Sequence, residues 1–188
     1  MKKTLKHFLP ILCMIAAIAV LTLAAAAATE TGSCGTGLTY TLDTETGVLT
    51  VSGTGAMTDF YAATPAPWSS YAASVRTVKL EEGVTTLGNL ALKGCVKLES
   101  LSLPTTLIEI GTGNLPTESP LWQPAAAGEI RVDGWLVSYK GTTPQDLRLS
   151  DGIRGMANGV FAWDSVKTAV LPGSLRYVGK DTSFRAML

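Results

Sequence analysis

The chain is 188 residues long and carries 15 basic against 15 acidic side chains, with 46% hydrophobic residues and a single histidine. That balance supplies no basic field to attract nucleic acid or an anionic membrane. The lone histidine, His7, lies in the expected leader, so the mature chain has no histidine triad, dyad or histidine zinc site.

Lys2, Lys3 and Lys6 precede an apolar run from Phe8 to Ala28 that closes in alanines 24–28. This order predicts a secretory signal peptide over residues 1–28. An uncleaved anchor competes with it, since the run is just long enough to span a bilayer of about 30 Å, but Pro10 and the alanine-rich end weaken that reading. Cys13 follows the bulky Leu12 and is read as filler, discarded with the leader. Cleavage after Ala28 removes the three lysines and no carboxylate, so residues 29–188 are weakly acidic, with no second long apolar segment to enter a membrane. Such a chain is long enough for a domain with its own core.

Residues 29–74 open with a β-hairpin. Leu38-Thr39-Tyr40-Thr41-Leu42 and Val48-Leu49-Thr50-Val51 alternate as strands do, and Asp43 to Gly47 have turn chemistry. Asp43 and Glu45 fall short of the six to eight oxygens that calcium takes, and are expected in a solvated turn. Trp68 and Tyr71 have apolar area to place on the segment that follows.

From residue 75 the chain repeats itself, with a unit of about 23 residues. Val78, Leu80, Val84, Leu87 and Gly88 recur at one constant offset as Leu101, Leu103, Leu107, Ile110 and Gly111. A third copy begins at Leu147, with Leu149, Gly152, Ile153 and Met156, and a fourth at Ala169, with Leu171, Pro172, Leu175, Val178 and Gly179. Each unit opens with a short alternation that puts two apolar side chains on one face of a strand. Proline or glycine then breaks the strand, and a second apolar pair supplies another wall. One unit cannot bury its leucines alone, so the units are expected to stack as a β-rich solenoid. Leu80, Leu103, Leu149 and Leu171 are expected in one buried ladder.

These residues resemble the BspA-like leucine-rich repeats of bacterial secreted and surface proteins, whose unit reads L-x-x-L-x-L-P-x-x-L-x-x-I-G-x-x-A-F-x-x-C. Leu98, Leu101, Leu103, Pro104, Leu107, Ile110 and Gly111 match it in order. So do Val75, Val78, Leu80, Val84, Leu87, Gly88, Ala91, Leu92 and Cys95, with Leu92 at the phenylalanine position. The third unit keeps Phe161 and has Asp164 in place of the cysteine. The resemblance implies that Cys95 is an inward-facing core thiol, although a disulfide from Cys34 to Cys95 is chemically permitted in an exported chain. It also implies that residues 29–74 are an N-terminal β-hairpin cap, with a hairpin and a Pro-Trp pair, here Pro67-Trp68, before the repeats.

Within the repeat region 75–188 the period is interrupted over residues 116–143. Ile130 to Tyr139 reads as a β-hairpin around an Asp133-Gly134 type I′ turn, and since Leu147 follows Leu101 by two whole periods, the insert is expected to replace one repeat. Trp122, Trp135 and Tyr139 are the candidate ligand contacts, because aromatic side chains are enriched at binding hot spots; covering the underlying coil is the plainer role for them.

No nucleophile elbow, phosphate loop or metal-spaced cysteine pair is present, so no catalytic, cofactor-binding or metal residue is assigned, and the chain is not expected to be an enzyme. The resemblance implies a secreted or cell-surface adhesion or protein-binding module with a host protein, matrix component or polysaccharide as partner. The alternative is an ancillary repeat domain of a longer cell-surface protein or enzyme. The coil begun at Val166 ends near Gly179 with Phe184, Met187 and Leu188 beyond it and no polar terminal unit. That predicts a chain continuing into further repeats, or self-association through the C-terminal coil.

Overall fold

The structure, a computed structural model, describes residues 28–161 and 166–180. Residues 1–27 of the expected signal peptide, Asp164 and the closing residues Phe184, Met187 and Leu188 lie outside them.

The first three strands, β1 (Thr29–Gly35), β2 (Leu38–Asp43) and β3 (Val48–Gly53), pair antiparallel in chain order. Alternation turns Leu38, Tyr40 and Leu42 inward from β2, and Leu49 and Val51 from β3. The turn between β2 and β3 uses the Asp43 carboxylate, whose Oδ1 accepts the Glu45 and Thr46 amides at 2.9 Å each. Those hydrogen bonds, the Thr46 ones first, hold its pKa below the usual value.

Beyond the hairpin the pairing changes sense. β3 runs parallel to β5 (Thr77–Leu80), and β5 to β7 (Ser100–Ser102), with Leu49, Val78 and Leu101 in one row and Val51 opposite Leu80. A second parallel wall comprises β4 (Gly55–Ala56), β6 (Val84–Leu87) and β8 (Glu109–Ile110). Each repeat thus gives one short strand to each wall, and the return segment carries the remaining apolar positions. All of Val75, Val78, Leu80, Val84, Leu87, Ala91, Leu92, Cys95, Leu98, Leu101, Leu103, Leu107 and Ile110 are buried. This is a β-rich repeat fold, and burial of the repeated leucines between stacked units drives it.

The units are also tied by polar side chains. Asp59 Oδ1 accepts the Asn89 amide at 2.8 Å, Asn89 Oδ1 the Thr112 amide at 2.8 Å, and Asn158 Oδ1 the Lys180 amide at 2.7 Å. Each carboxyl or carboxamide oxygen satisfies a backbone donor on the next turn of the stack. On the same wall Glu109 accepts from Lys180 Nζ at 2.8 Å and from Asn158 Nδ2 at 2.9 Å. The hydrogen bond from Lys180 is the main cause that holds its carboxyl below the usual range. A depressed folded-state pKa contributes stability that is present above the unfolded value, near 4.3, and is lost as pH falls through the folded one. Melting curves of wild type and Glu109→Gln should therefore differ at neutral pH and converge in acid.

The single ladder expected from the leucines is corrected by the structure. Leu80 and Leu103 belong to a first core with the N-terminal strands. Leu149 belongs to a second core with Leu136, Leu147, Ile153, Met156, Phe161 and Val166, against which the half-buried Leu171 packs. The insert divides them. Its strands β9 (Gly128–Val132) and β10 (Trp135–Lys140) join through Asp133 and Gly134, both at positive φ (46° and 78°), as a type I′ turn requires. Trp135 lies in the first core and the next residue, Leu136, in the second, so β10 is the partition between them.

After the insert, β11 (Asp146–Arg148) pairs with β13 (Thr168–Val170) rather than with β7. On the other wall β12 (Gly155–Met156) pairs with the start of β10, while the Asn158 amide still reaches the Ile110 carbonyl at 2.8 Å. The insert therefore separates the units along one wall and leaves them in direct contact along the other.

Leu103→Ala should cost about 2–5 kcal/mol, as truncation in a packed core does. Thr105, exposed with its hydroxyl donating to Glu82 at 2.9 Å, should lose no more than about 0.5 kcal/mol on change to alanine. Equal, small losses in a urea titration would contradict the buried row.

Candidate functional site

Of the three aromatic residues singled out in the insert, Trp135 is not a contact residue. It is fully buried, with its ring stacked on Tyr177 at 5.8 Å and the Arg154 guanidinium carbon 5.8 Å from its centroid. A Cβ on Gly155 would stand 2.6 Å from the same ring, so glycine there makes room for the indole. Arg154 in turn is a brace: its Nη2 donates to the Pro104 carbonyl at 2.6 Å, Nη1 to that of Thr105 at 2.9 Å, and Nε to that of Asp133 at 3.2 Å. It joins the second unit, the insert turn and the third unit.

Trp122 is half-buried. Lys140 Nζ donates to the carbonyls of Trp122 and Gln123 at 3.2 and 2.8 Å and sits 5.9 Å from the Trp122 ring. Its role is to fold the segment before β9 back onto the end of β10. With Trp135 buried, the three aromatic side chains form no common face.

Tyr139 is placed differently. One side of its ring rests on Phe161, with centroids 5.4 Å apart, and the residue also lines an open polar depression of about 410 Å³ with Glu129, Arg131, Arg148 and Ser150. Three strands or strand ends meet here. β9 supplies Glu129 and Arg131, β10 supplies Tyr139, and β11 with the residues after it supplies Arg148 and Ser150. Glu129 Oε1 accepts the Ser150 amide at 2.7 Å and its Oε2 lies 3.8 Å from Arg131 Nε, while Arg131 Nη1 donates to the Asp151 carbonyl at 3.1 Å. Arg148 is exposed, and its guanidinium makes no hydrogen bond or ion pair with the described residues. The depression therefore offers a fixed carboxylate, a braced guanidinium, a free guanidinium and a phenol. Such a set can form hydrogen bonds with hydroxyls and carboxylates.

Sequence reading passed over Glu129, Arg131, Arg148 and Ser150. They come from opposite sides of the insert boundary, so neither the repeat period nor any local spacing brings them together. The outward positions of β9 and β11 were the only available sign.

Cys34 and Cys95 are both buried and both free. Burial alone raises their thiols, to about 11 and about 12 respectively. Because the thiolate is the reactive form, a thiol reagent should label neither until the chain unfolds. A tryptic peptide joining the two under non-reducing conditions would contradict this.

The parallel two-wall stack with leucines at a fixed period is the fold of leucine-rich repeat proteins. Among solved structures the chain is similar to a leucine-rich repeat protein from Eubacterium ventriosum, at 24% identity and a TM-score of 0.50. The likeness covers 80% of this chain and 40% of that protein, so this chain spans two-fifths of its length. No family model matches the chain, and no curated protein matches it.

Proposed function

We propose that this chain is a secreted or cell-surface binding module of the BspA-like type, which holds a host or matrix protein or a polysaccharide without catalysis. The observation that carries the reading is the polar depression beside Tyr139. It contains a guanidinium, that of Arg148, with no hydrogen-bond or ion-pair partner among the described residues, next to an aromatic ring that rests on Phe161. Planar bidentate donors and a fixed ring suit the carboxylates and hydroxyls of an acidic glycan or a side-chain-rich protein surface. The stacked scaffold keeps that surface rigid, which lowers the entropy lost on binding. Residues 29–74 serve as a cap on the first unit and residues 75–188 as the repeat region that displays the insert.

The test is a glycan and matrix-protein array probed with the exported protein, whose N-terminus should lie near Thr29. Tyr139→Ala and Arg148→Ala should each weaken the strongest signal about tenfold or more. Signals indifferent to both substitutions, or turnover of an arrayed glycan, would overturn the proposal. The likeness reaches only two-fifths of the solved repeat protein, which favours a second reading: an ancillary repeat domain of a longer cell-surface protein or enzyme, contributing binding to an assembly.

A further inference from the structure

The turn that follows the second wall places a residue in the left-handed region in each of the first three units. Gly113 has φ 70° and Gly159 φ 68°, the backbone range that glycine adopts without strain. At the same position of the first unit, one repeat before Gly113, the chain has Leu90 with φ 55°. A leucine held there is strained, and the side chain gained at that cost lies at a cavity.

The cavity measures about 380 Å³ and sits between the loop beginning at Tyr61, the turn of 3-10 helix Ser69–Ser74 and the start of the first unit's return segment. Leu90 forms one wall; its Cδ2 is where a Cβ on Gly113 would intrude, at 2.5 Å, so the leucine is propped on the next unit. Ala66 and Ala72, buried, and Ala73 also line it, and their short side chains leave the space open. Tyr61 is 58% exposed at the mouth. Lys93 is the only charged residue of the lining, and its ammonium group makes no hydrogen bond or ion pair with the described residues.

We propose that this cavity binds a compact apolar group that ends in a carboxylate: the apolar body between Leu90 and the alanines, the carboxylate on Lys93. The volume lies at the lower end of the range for small-molecule sites and fits a side chain of leucine or phenylalanine size with its adjoining carboxyl group. Such a group exists either as a free hydrophobic acid or as the C-terminal residue of another polypeptide. The site is separate from the depression beside Tyr139, so each proposal stands or falls without the other.

The test is a titration of the isotope-labelled full chain, followed by the amide signals of Ala72, Leu90 and Lys93. The probes are N-acetyl-phenylalanine, its carboxamide, and a hexapeptide ending in phenylalanine with a free or an amidated terminus. The acid should shift these signals and the carboxamide should bind about tenfold more weakly. Lys93→Met should remove the difference between the two. Leu90→Gly, which introduces the residue that the second and third units use at this position and so keeps the turn, should weaken both. Arg148→Ala should change nothing here. A free-ended hexapeptide binding more tightly than the small acid identifies a polypeptide terminus as the natural occupant, and equal or weaker binding identifies a free acid. The absence of shifts up to the solubility limit of the probes, or shifts that ignore both substitutions, would overturn the proposal.

Discussion

Trp68→Ala should lower the stability of the chain by about 3–5 kcal/mol, the cost of emptying a large aromatic site in a core. Trp68 is 1% exposed and joins the N-terminal hairpin to the first repeat unit. Tyr40 and Phe60 meet its ring edge-on, at centroid distances of 5.1 and 5.8 Å, and its Nε1 donates to the Ala91 carbonyl at 2.8 Å. Trp68→Phe separates the two contributions: it keeps most of the apolar area and leaves a buried carbonyl without its donor, at about 1–3 kcal/mol. Urea titrations monitored by circular dichroism should rank wild type above Trp68→Phe above Trp68→Ala. A loss below about 1 kcal/mol for the alanine variant would mean that the hairpin is not seated on the repeats.

Gly88→Ala should be nearly as damaging, by about 3 kcal/mol or more, for a different reason. An added Cβ would stand 2.0 Å from the Thr58 carbonyl oxygen and 2.8 Å from its carbon. The obstacle is backbone of the neighbouring turn of the same wall, so no side-chain rotation relieves it, and the strands must part. Gly152 is the control. It has φ 85° with nothing within 4 Å of an added Cβ, so Gly152→Ala carries only the conformational cost, about 1–2 kcal/mol. If thermal melts placed the Gly152 variant below the Gly88 variant, close stacking of the wall would not be what glycine provides at position 88.

The repeat positions were legible because burial between stacked units imposes the same demand once in every unit, and leucine, valine and isoleucine answer it each time. Hairpin turns were legible for a similarly local reason, since Asp133-Gly134 needs no distant partner to declare positive φ. What escaped was whatever depends on how non-equivalent segments meet. Trp135 was singled out as a candidate contact because aromatic side chains are enriched at binding hot spots, and its burial in the first core fits the plainer role of covering the coil. In β10 both faces are occupied at that point, with Trp135 in one core and Leu136 in the other, and the register shift between Leu136 and Ser138 ends the alternation. The division into two cores was hidden because the offset from Leu101 to Leu147 preserves the period while the strands themselves do not pair. Lys93 carried no mark in the sequence, and Arg148 none beyond its outward position on β11, since a cation without a partner among the described residues is recognised only when its surroundings are known.

The side-chain bridges from one turn of the stack to the next set the step in which such a gene can lengthen or shorten. Asp59 and Asn89 accept equivalent amides, those of Asn89 and Thr112, which lie one repeat apart. An in-frame loss of residues 89–111 would present the Thr112 amide to Asp59 in place of that of Asn89, and a duplication would repeat the Asn89 bridge. Either event reproduces a junction that already exists, whereas an insertion or loss of any other length sets the oxygen of one turn against the wrong part of the next.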